Sequence, residues 1–473
     1  MVTVAKNQIG ENRIVRPRKP EDPRMLSIGQ QRLWYLSQLF PDSPAYNSPF
    51  VSRLHGIVDL AAFERALDSV IQRHEILRTA ILVSKGVPVP LVLKKRPPDL
   101  KYLDFRGFSE NQREAETHRL IWQESTRPFN FSRDPLFRAI LFRLSNDEHI
   151  FFHVTPHIVF EGGSVGVLYR DLAAFYNGFV SGKNLEPPPL PFQYTDFAAW
   201  QRGSLSETRS EKLRKYWQDK LAGALTLNLP LDFTRPAIPT MRGARRFFSI
   251  GPELLSAANS FFESAGTTPY RGLCAAFNVF LHCYSGQTDI SLGSPFAPRC
   301  RGIEELIGFF VNTVVLRTDL SGDPTFRKVI RKVDVVVHGV IAHSDLTFDK
   351  IVEAVHPPQD LSRSPLFQVN FRAPSQPYPA LQLDVVSASP AEYVDNGTAK
   401  FDLALEIESS TGRDCYIEYS TDLFKPETVV QMEEDFKNLL NALIAEPDTR
   451  LSDVSEVAAI SRRIRKETGA VPR

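Results

Sequence analysis

A mixed α/β chain in two lobes is what the sequence predicts, and three observations predict it. At 473 residues the chain is long enough for two or three compact units, each burying its own core. Segments of helical periodicity alternate with strand-like runs in both halves. Between the halves lies the proline-rich stretch NLEPPPLP, residues 184–191, which has the stiff, extended character of a connection.

The elements follow in chain order. Residues 1–25 are polar and charged, without the apolar run of a secretory signal, and read as a flexible arm. From Asp59 to Arg73 the apolar residues Leu60, Phe63, Leu67, Val70 and Ile71 mark one face of an amphipathic helix, and RTAILV follows as a strand. The β-rich run HIFFHVTPHIVF contains Pro156, which has no N–H to give a ladder, so the strand is expected to end there. Gly162, Gly163 and Ser164 lead into the helical pattern VGVLYRDLAAFYNGF. Residues 157–161 therefore join a strand to a helix start, a junction that suits reactive groups.

The lobes are placed at residues 26–186 and 187–455. The second repeats the alternation, with helices near 252–266 and 268–284, strands near 289–296 and 312–319, and a helix from 324. A final helix over 429–446 carries Val429, Met432, Phe436, Leu439, Leu440 and Leu443 on one face. Residues 456–473 are read as a tail.

Composition excludes several classes. The balance of 56 Lys+Arg against 55 Asp+Glu gives no global field to gather nucleic acid or a membrane surface. The apolar stretch from Leu273 to Tyr284 is too short and too polar to span a bilayer. Cys274, Cys283, Cys300 and Cys415 show no metal or redox spacing, and so few thiols suit a reducing cytoplasm. His153 and His157 lie four apart, but on a β-like segment with no third ligand, so no metal site is expected. His74 is expected to be a buried, hydrogen-bonded structural histidine.

Candidate chemistry concentrates in Pro156-His157-Ile158-Val159-Phe160-Glu161-Gly162, and other motifs stand in order around it. They are Ser27-Ile28-Gly29-Gln30-Gln31-Arg32-Leu33-Trp34, then Arg73-His74-Glu75-Ile76-Leu77-Arg78-Thr79, then Tyr194-Thr195-Asp196-Phe197-Ala198-Ala199-Trp200-Gln201. Ile307-Gly308-Phe309-Phe310-Val311-Asn312-Thr313, Ser364-Pro365-Leu366-Phe367-Gln368-Val369 and Lys400-Phe401-Asp402-Leu403 follow. Over roughly residues 26–455 this series resembles the condensation domains of nonribosomal peptide synthetases. The departures are Gly29 for Ala in the first motif, and Pro156 for His and Glu161 for Asp in the third, H-H-x-x-x-D-G.

The resemblance implies two chloramphenicol-acetyltransferase-like lobes forming a V, with the active site between them. It implies an acyltransferase that joins a carrier-bound acyl thioester to an acceptor amine, with His157 at the reaction centre and Glu161 holding the loop through a buried ion pair. Arg299 and then Arg78 are the expected partners of that pair. Gly162 leaves room for a substrate carbonyl and offers a helix-start N–H to its oxyanion, while Asn312 and Ser294 are polar candidates for the opposite wall. No cofactor is intrinsic; the 4'-phosphopantetheine arms belong to acyl- or peptidyl-carrier partners, and a small soluble amine or alcohol is an alternative acceptor. No adenylation or carrier domain follows in these residues, as expected of a free-standing protein or an excised piece. Ester formation, an impaired platform that recruits another enzyme, and epimerisation are the rival readings.

Overall fold

A computed structural model describes residues 14–19, 21–183, 187–297, 300–413 and 415–468. The first part runs α1 (Ile28–Leu39), β1 (Asn47–His55), α2 (Leu60–Arg73), β2 (Thr79–Ser84), β3 (Val87–Val92), β4 (Asp99–Asp104), α3 (Glu110–Thr126), β5 (Arg138–Arg143), β6 (Glu148–Pro156) and α4 (Gly162–Ser181). Next come α5 (Tyr194–Gly203), α6 (Glu207–Leu221), β7 (Gly243–Phe248), α7 (Pro252–Ser264), α8 (Pro269–Ser285), β8 (Asp289–Phe296), β9 (Asn312–Asp319) and α9 (Phe326–His343). The last elements are α10 (Phe348–Val355), β10 (Val369–Arg372), β11 (Ser387–Ala388), β12 (Glu392–Tyr393), β13 (Leu403–Glu406), β14 (Cys415–Ser420), α11 (Pro426–Ala445) and α12 (Ser455–Thr468).

Two six-stranded mixed sheets organise these elements, as a two-lobed α/β fold requires. The first runs β11-β1-β6-β5-β4, with β12 also on β1; the second runs β7-β14-β13-β10-β8-β9. Each sheet backs its own apolar core, one built on Phe63, Phe151 and Leu168, the other on Leu273, Val333 and Leu440. Strand β6 stops at Pro156, as its missing N–H dictates, and the next rung is formed by the His157 N–H donating to the Tyr46 carbonyl at 2.7 Å.

The cores do not divide the chain at residue 187. Phe192, Tyr194 and Phe197 belong to the first core, and Leu213 and Trp217 to the second, so the chain changes lobe between α5 and α6. Two later excursions return to the first core: Cys300, Ile307, Phe309 and Phe310 before β9, and Leu381, Val386 and Ala391 between β10 and β13. The second excursion adds β11 and β12 to β1, pairing Leu54 with Ala388 and Phe50 with Tyr393.

The expected arm and tail are also corrected. Within the arm, Val15 is buried and the Arg18 N–H donates to Asp196 Oδ1 at 3.0 Å. Of the residues read as a tail, 456–468 lie in α12, whose Val457, Ile460 and Ile464 are buried against the second core. Charged residues mask that helix in the sequence, because only one narrow stripe is apolar. Among the described residues no helix is long and apolar enough to cross a membrane.

Candidate active site

The loop after β6 presents His157, and four of the other motifs are tied to it or to the helix that follows. Gln30 Nε2 donates to the Ile158 carbonyl at 2.9 Å. Ser27 Oγ meets the Tyr194 hydroxyl at 2.9 Å, and that hydroxyl donates to the Phe309 carbonyl at 2.5 Å. Ser164 Oγ both donates to the Gly308 carbonyl and accepts from the Gly308 N–H, each at 3.1 Å. Arg73 Nε and His74 Nε2 each reach Asp171 Oδ2 of α4 at 2.8 Å, so the second motif braces the helix that follows the loop, and His74 is buried as expected. Motifs far apart in sequence are thus the joints of one strand-to-helix turn.

His157 Nδ1 lies 2.6 Å from the Phe160 carbonyl oxygen, which can only accept, so Nδ1 carries the proton and Nε2 keeps its lone pair. Burial first, then the nearby Lys400 ammonium, lowers its pKa to about 3, and the ring is neutral throughout the physiological range. Nε2 makes no hydrogen bond with the described residues. The edge of Phe309 packs on the imidazole with centroids 4.8 Å apart. His153, by contrast, is fully buried between Phe50 and Phe137, with neither nitrogen hydrogen-bonded, and belongs to the core.

Glu161 is 5% exposed and caps α4, and among the described residues no cation pairs with it. Its Oε2 accepts from the backbone N–H groups of Val311 at 2.8 Å and Phe310 at 3.1 Å. Burial pushes the carboxyl up to about 7, and these two donors oppose that rise. Arg78 lies elsewhere, donating to the Leu93 carbonyl and 3.6 Å from Glu75, and Arg299 lies outside the described residues. Residues 308–311 run past the loop, where Ser164 Oγ takes the Gly308 N–H and Glu161 takes those of Phe310 and Val311.

Two further expectations change. Ser294 is fully buried, donating to the Phe371 carbonyl and meeting the Tyr270 hydroxyl, each at 2.8 Å; it is a core group and lines no cleft. Asn312 spends its amide on the Ser344 and Leu346 carbonyls and its oxygen on the Phe348 N–H, fastening the start of α10. The space beside Gly162 is filled by Tyr378, whose hydroxyl oxygen would lie 2.9 Å from a Cβ at that position. Pro156 forms one wall of a small recess shared with Leu33, Phe129 and Met241.

Charges gather on the second lobe's side. Arg245 pairs with Glu418 at 2.6 Å and Arg372 with Glu406 at 2.9 Å, while Lys400 Nζ sits 5.0 Å from the centroid of Tyr46, whose carbonyl anchors His157. Burial lowers Lys400 to about 8 despite Glu418. Arg32 of α1 reaches Asp349 of α10 at 4.0 Å. Lys400 and Phe309 stand inside motifs visible in the sequence but were not singled out there; Tyr378 stands in a proline-rich connection and gave no signal. Among the described residues no cluster of His, Cys, Asp and Glu side chains would hold a metal.

Comparison with known proteins agrees with this geometry. The family described as "Condensation domain" matches residues 21–463. A linear gramicidin synthase of Brevibacillus parabrevis is 39% identical over 453 residues, covering 95% of this chain and 6% of its own. Phosphinothricin tripeptide synthetase PhsC of Streptomyces viridochromogenes is 36% identical over 96% of this chain and 42% of its own, so the chain spans only a fraction of these relatives. Among solved structures, the X-domain from teicoplanin biosynthesis superposes with a TM-score of 0.82 at 27% identity, covering 93% of this chain and 99% of that one. The first condensation domain of the calcium-dependent antibiotic synthetase shares the fold, with a TM-score of 0.78 at 19% identity over 92% of this chain and 100% of that one.

Proposed function

This chain belongs to the condensation-domain family of nonribosomal peptide synthetases, a family of acyltransferases, and on that premise we propose that it joins a carrier-bound acyl thioester to an acceptor amine, forming an amide. The observation that carries the reading is His157, held as the tautomer whose Nε2 lone pair is free of the described residues. Both substrates arrive on 4'-phosphopantetheine arms of acyl- or peptidyl-carrier proteins, so the prosthetic group belongs to the partners. The bound amine attacks the thioester carbonyl carbon, Nε2 accepts a hydrogen bond from the amine and takes up its proton as positive charge develops, and the thiol leaves. Holding the two tethered ends in attack geometry supplies much of the barrier reduction.

An imidazole held near pKa 3 is a weak base. That suits a neutral amine, which needs a positioned acceptor, better than a hydroxyl, which must lose its proton as it attacks. The recruitment reading rests on Pro156 and Glu161, and on an X-domain, 28% identical, solved in complex with OxyB from teicoplanin biosynthesis.

Mass spectrometry of products from acyl-loaded carrier protein with matched amine and alcohol acceptors tests the proposal. His157→Ala is expected to lower amide formation by about 10²–10⁴-fold, the usual worth of a proton-transfer group. Ester in place of amide would revise the acceptor, and product indifferent to His157, or none from wild type, would favour the recruitment platform.

A further inference from the structure

We propose that Tyr378 is a further catalytic residue of this site: its hydroxyl donates a hydrogen bond to the thioester carbonyl oxygen as that oxygen becomes negative. The inference rests on the acyl-transfer reading above. Three observations carry it.

The first is position. Tyr378 lies on the excursion between β10 and β13, and its hydroxyl oxygen stands 2.9 Å from where a Cβ of Gly162 would be. Gly162 opens α4 five residues after His157, and the first N–H groups of a helix have no acceptor within it. The proposal sets the oxygen of a carbonyl attacked at His157 against that helix start and the phenol, with the Tyr378 hydroxyl turned from Gly162 toward it.

The second is that the position is fixed. The Tyr378 ring packs edge-on against Phe50 with centroids 5.1 Å apart. Pro379 lies one helical turn along α4, its Cγ 3.8 Å from the Cβ position of Gly166, and the Pro379 carbonyl accepts from the Ala391 N–H at 3.1 Å. Two glycines four apart on α4 let this segment lie close against the helix, so the hydroxyl is placed before substrate arrives, as electrostatic stabilisation of an oxyanion requires.

The third is that the hydroxyl is uncommitted. It forms no hydrogen bond with the described residues, although the ring is partly buried. Burial raises its pKa further above the usual phenol value, which keeps it a proton-bearing donor at working pH. Tyr393, which also packs on Phe50, donates its hydroxyl to the Asn47 carbonyl at 3.1 Å, and Tyr416 donates to Glu406.

The step balances without an added reagent. Amine nitrogen bonds to the carbonyl carbon, the C=O π pair moves onto oxygen, and that oxygen accepts from Tyr378 Oη–H and a helix-start N–H. Collapse re-forms C=O and breaks C–S; the thiolate takes the proton the amine has lost, by way of His157 Nε2. Tyr378 returns its hydrogen bond and keeps its proton.

Tyr378→Phe in the full chain keeps the ring and removes only the donor. Steady-state kinetics with acyl-loaded carrier and the amine acceptor should show kcat reduced by about 10²-fold, the cost of one oxyanion donor, with KM within twofold and an unchanged melting temperature. A kcat equal to that of wild type overturns the proposal while leaving the acyl-transfer reading intact. A higher kcat overturns it too and makes Tyr378 a plug, and absence of product from wild type overturns both.

Discussion

A Cβ added at Gly29 would lie 2.7 Å from Cε1 of Phe309, closer than real side chains come, and that ring packs against His157 with centroids 4.8 Å apart. The glycine that departs from the family's usual alanine is thus matched to a bulky neighbour, and together they set the orientation of the imidazole. Gly29→Ala should displace Phe309, and with it the imidazole it packs on. A 1 Å misplacement of a reacting group costs up to about 10²-fold in rate, so kcat should fall while the melting temperature changes little. Phe309→Val in the same chain should recover most of the loss, because it removes the atoms in conflict. Equal rates for Gly29→Ala and wild type would show that Phe309 has no part in placing His157.

At the scale of elements, the β6-to-α4 turn and the 308–311 segment act as one unit, closed by Glu161 on two backbone N–H groups. Its carboxyl shifts from an ordinary 4.5 to about 7 on folding. Between those values the native chain holds a proton the unfolded chain has released, so stability falls as pH rises through the window and is flat above it. Glu161→Gln keeps an oxygen for both donors and removes the titration. Its stability should match wild type near pH 4.5 and exceed it by about 1–3 kcal/mol at pH 8, since each pKa unit is worth about 1.4 kcal/mol. Parallel melting curves across that range would mean that the carboxyl does not titrate there.

The same unit shows what was legible beforehand. The end of β6 at Pro156, the start of α4 at Gly162 and the place of His157 between them follow from proline chemistry and apolar spacing. The two N–H groups that Glu161 receives did not, because backbone donors have no letter in a sequence. Ser294 and Asn312 misled for a related reason, since polarity at a motif does not say whether a carbonyl already claims it. Tyr378 was invisible because its place depends on a connection that leaves one core for the other.

At the scale of the whole molecule, the two cores are tied by repeated crossings. The chain passes between them after α5, again around residues 300–311 and again around 379–393, and α12 closes over α8. Arg463 of α12 pairs with buried Asp435, which also receives the Tyr284 hydroxyl at 2.5 Å. Truncation after Val454, which the sequence alone permits, should destabilise the chain by at least about 3 kcal/mol, because a buried carboxylate loses its cation. Chemical denaturation of both forms would measure this, and coincident midpoints would show that α12 is dispensable.

The repeated crossings also bear on recombination between relatives. A chimaera spliced once, at the proline-rich connection, would give the first lobe a foreign 300–311 segment and foreign β11 and β12, hence an unmatched partner for Glu161, Gly29 and β1. Exchanging specificity while preserving His157 calls for a donor piece in three parts: residues through α5, the segment ahead of β9, and the span from Tyr378 to Tyr393. In this fold heredity by lobe is discontinuous along the chain.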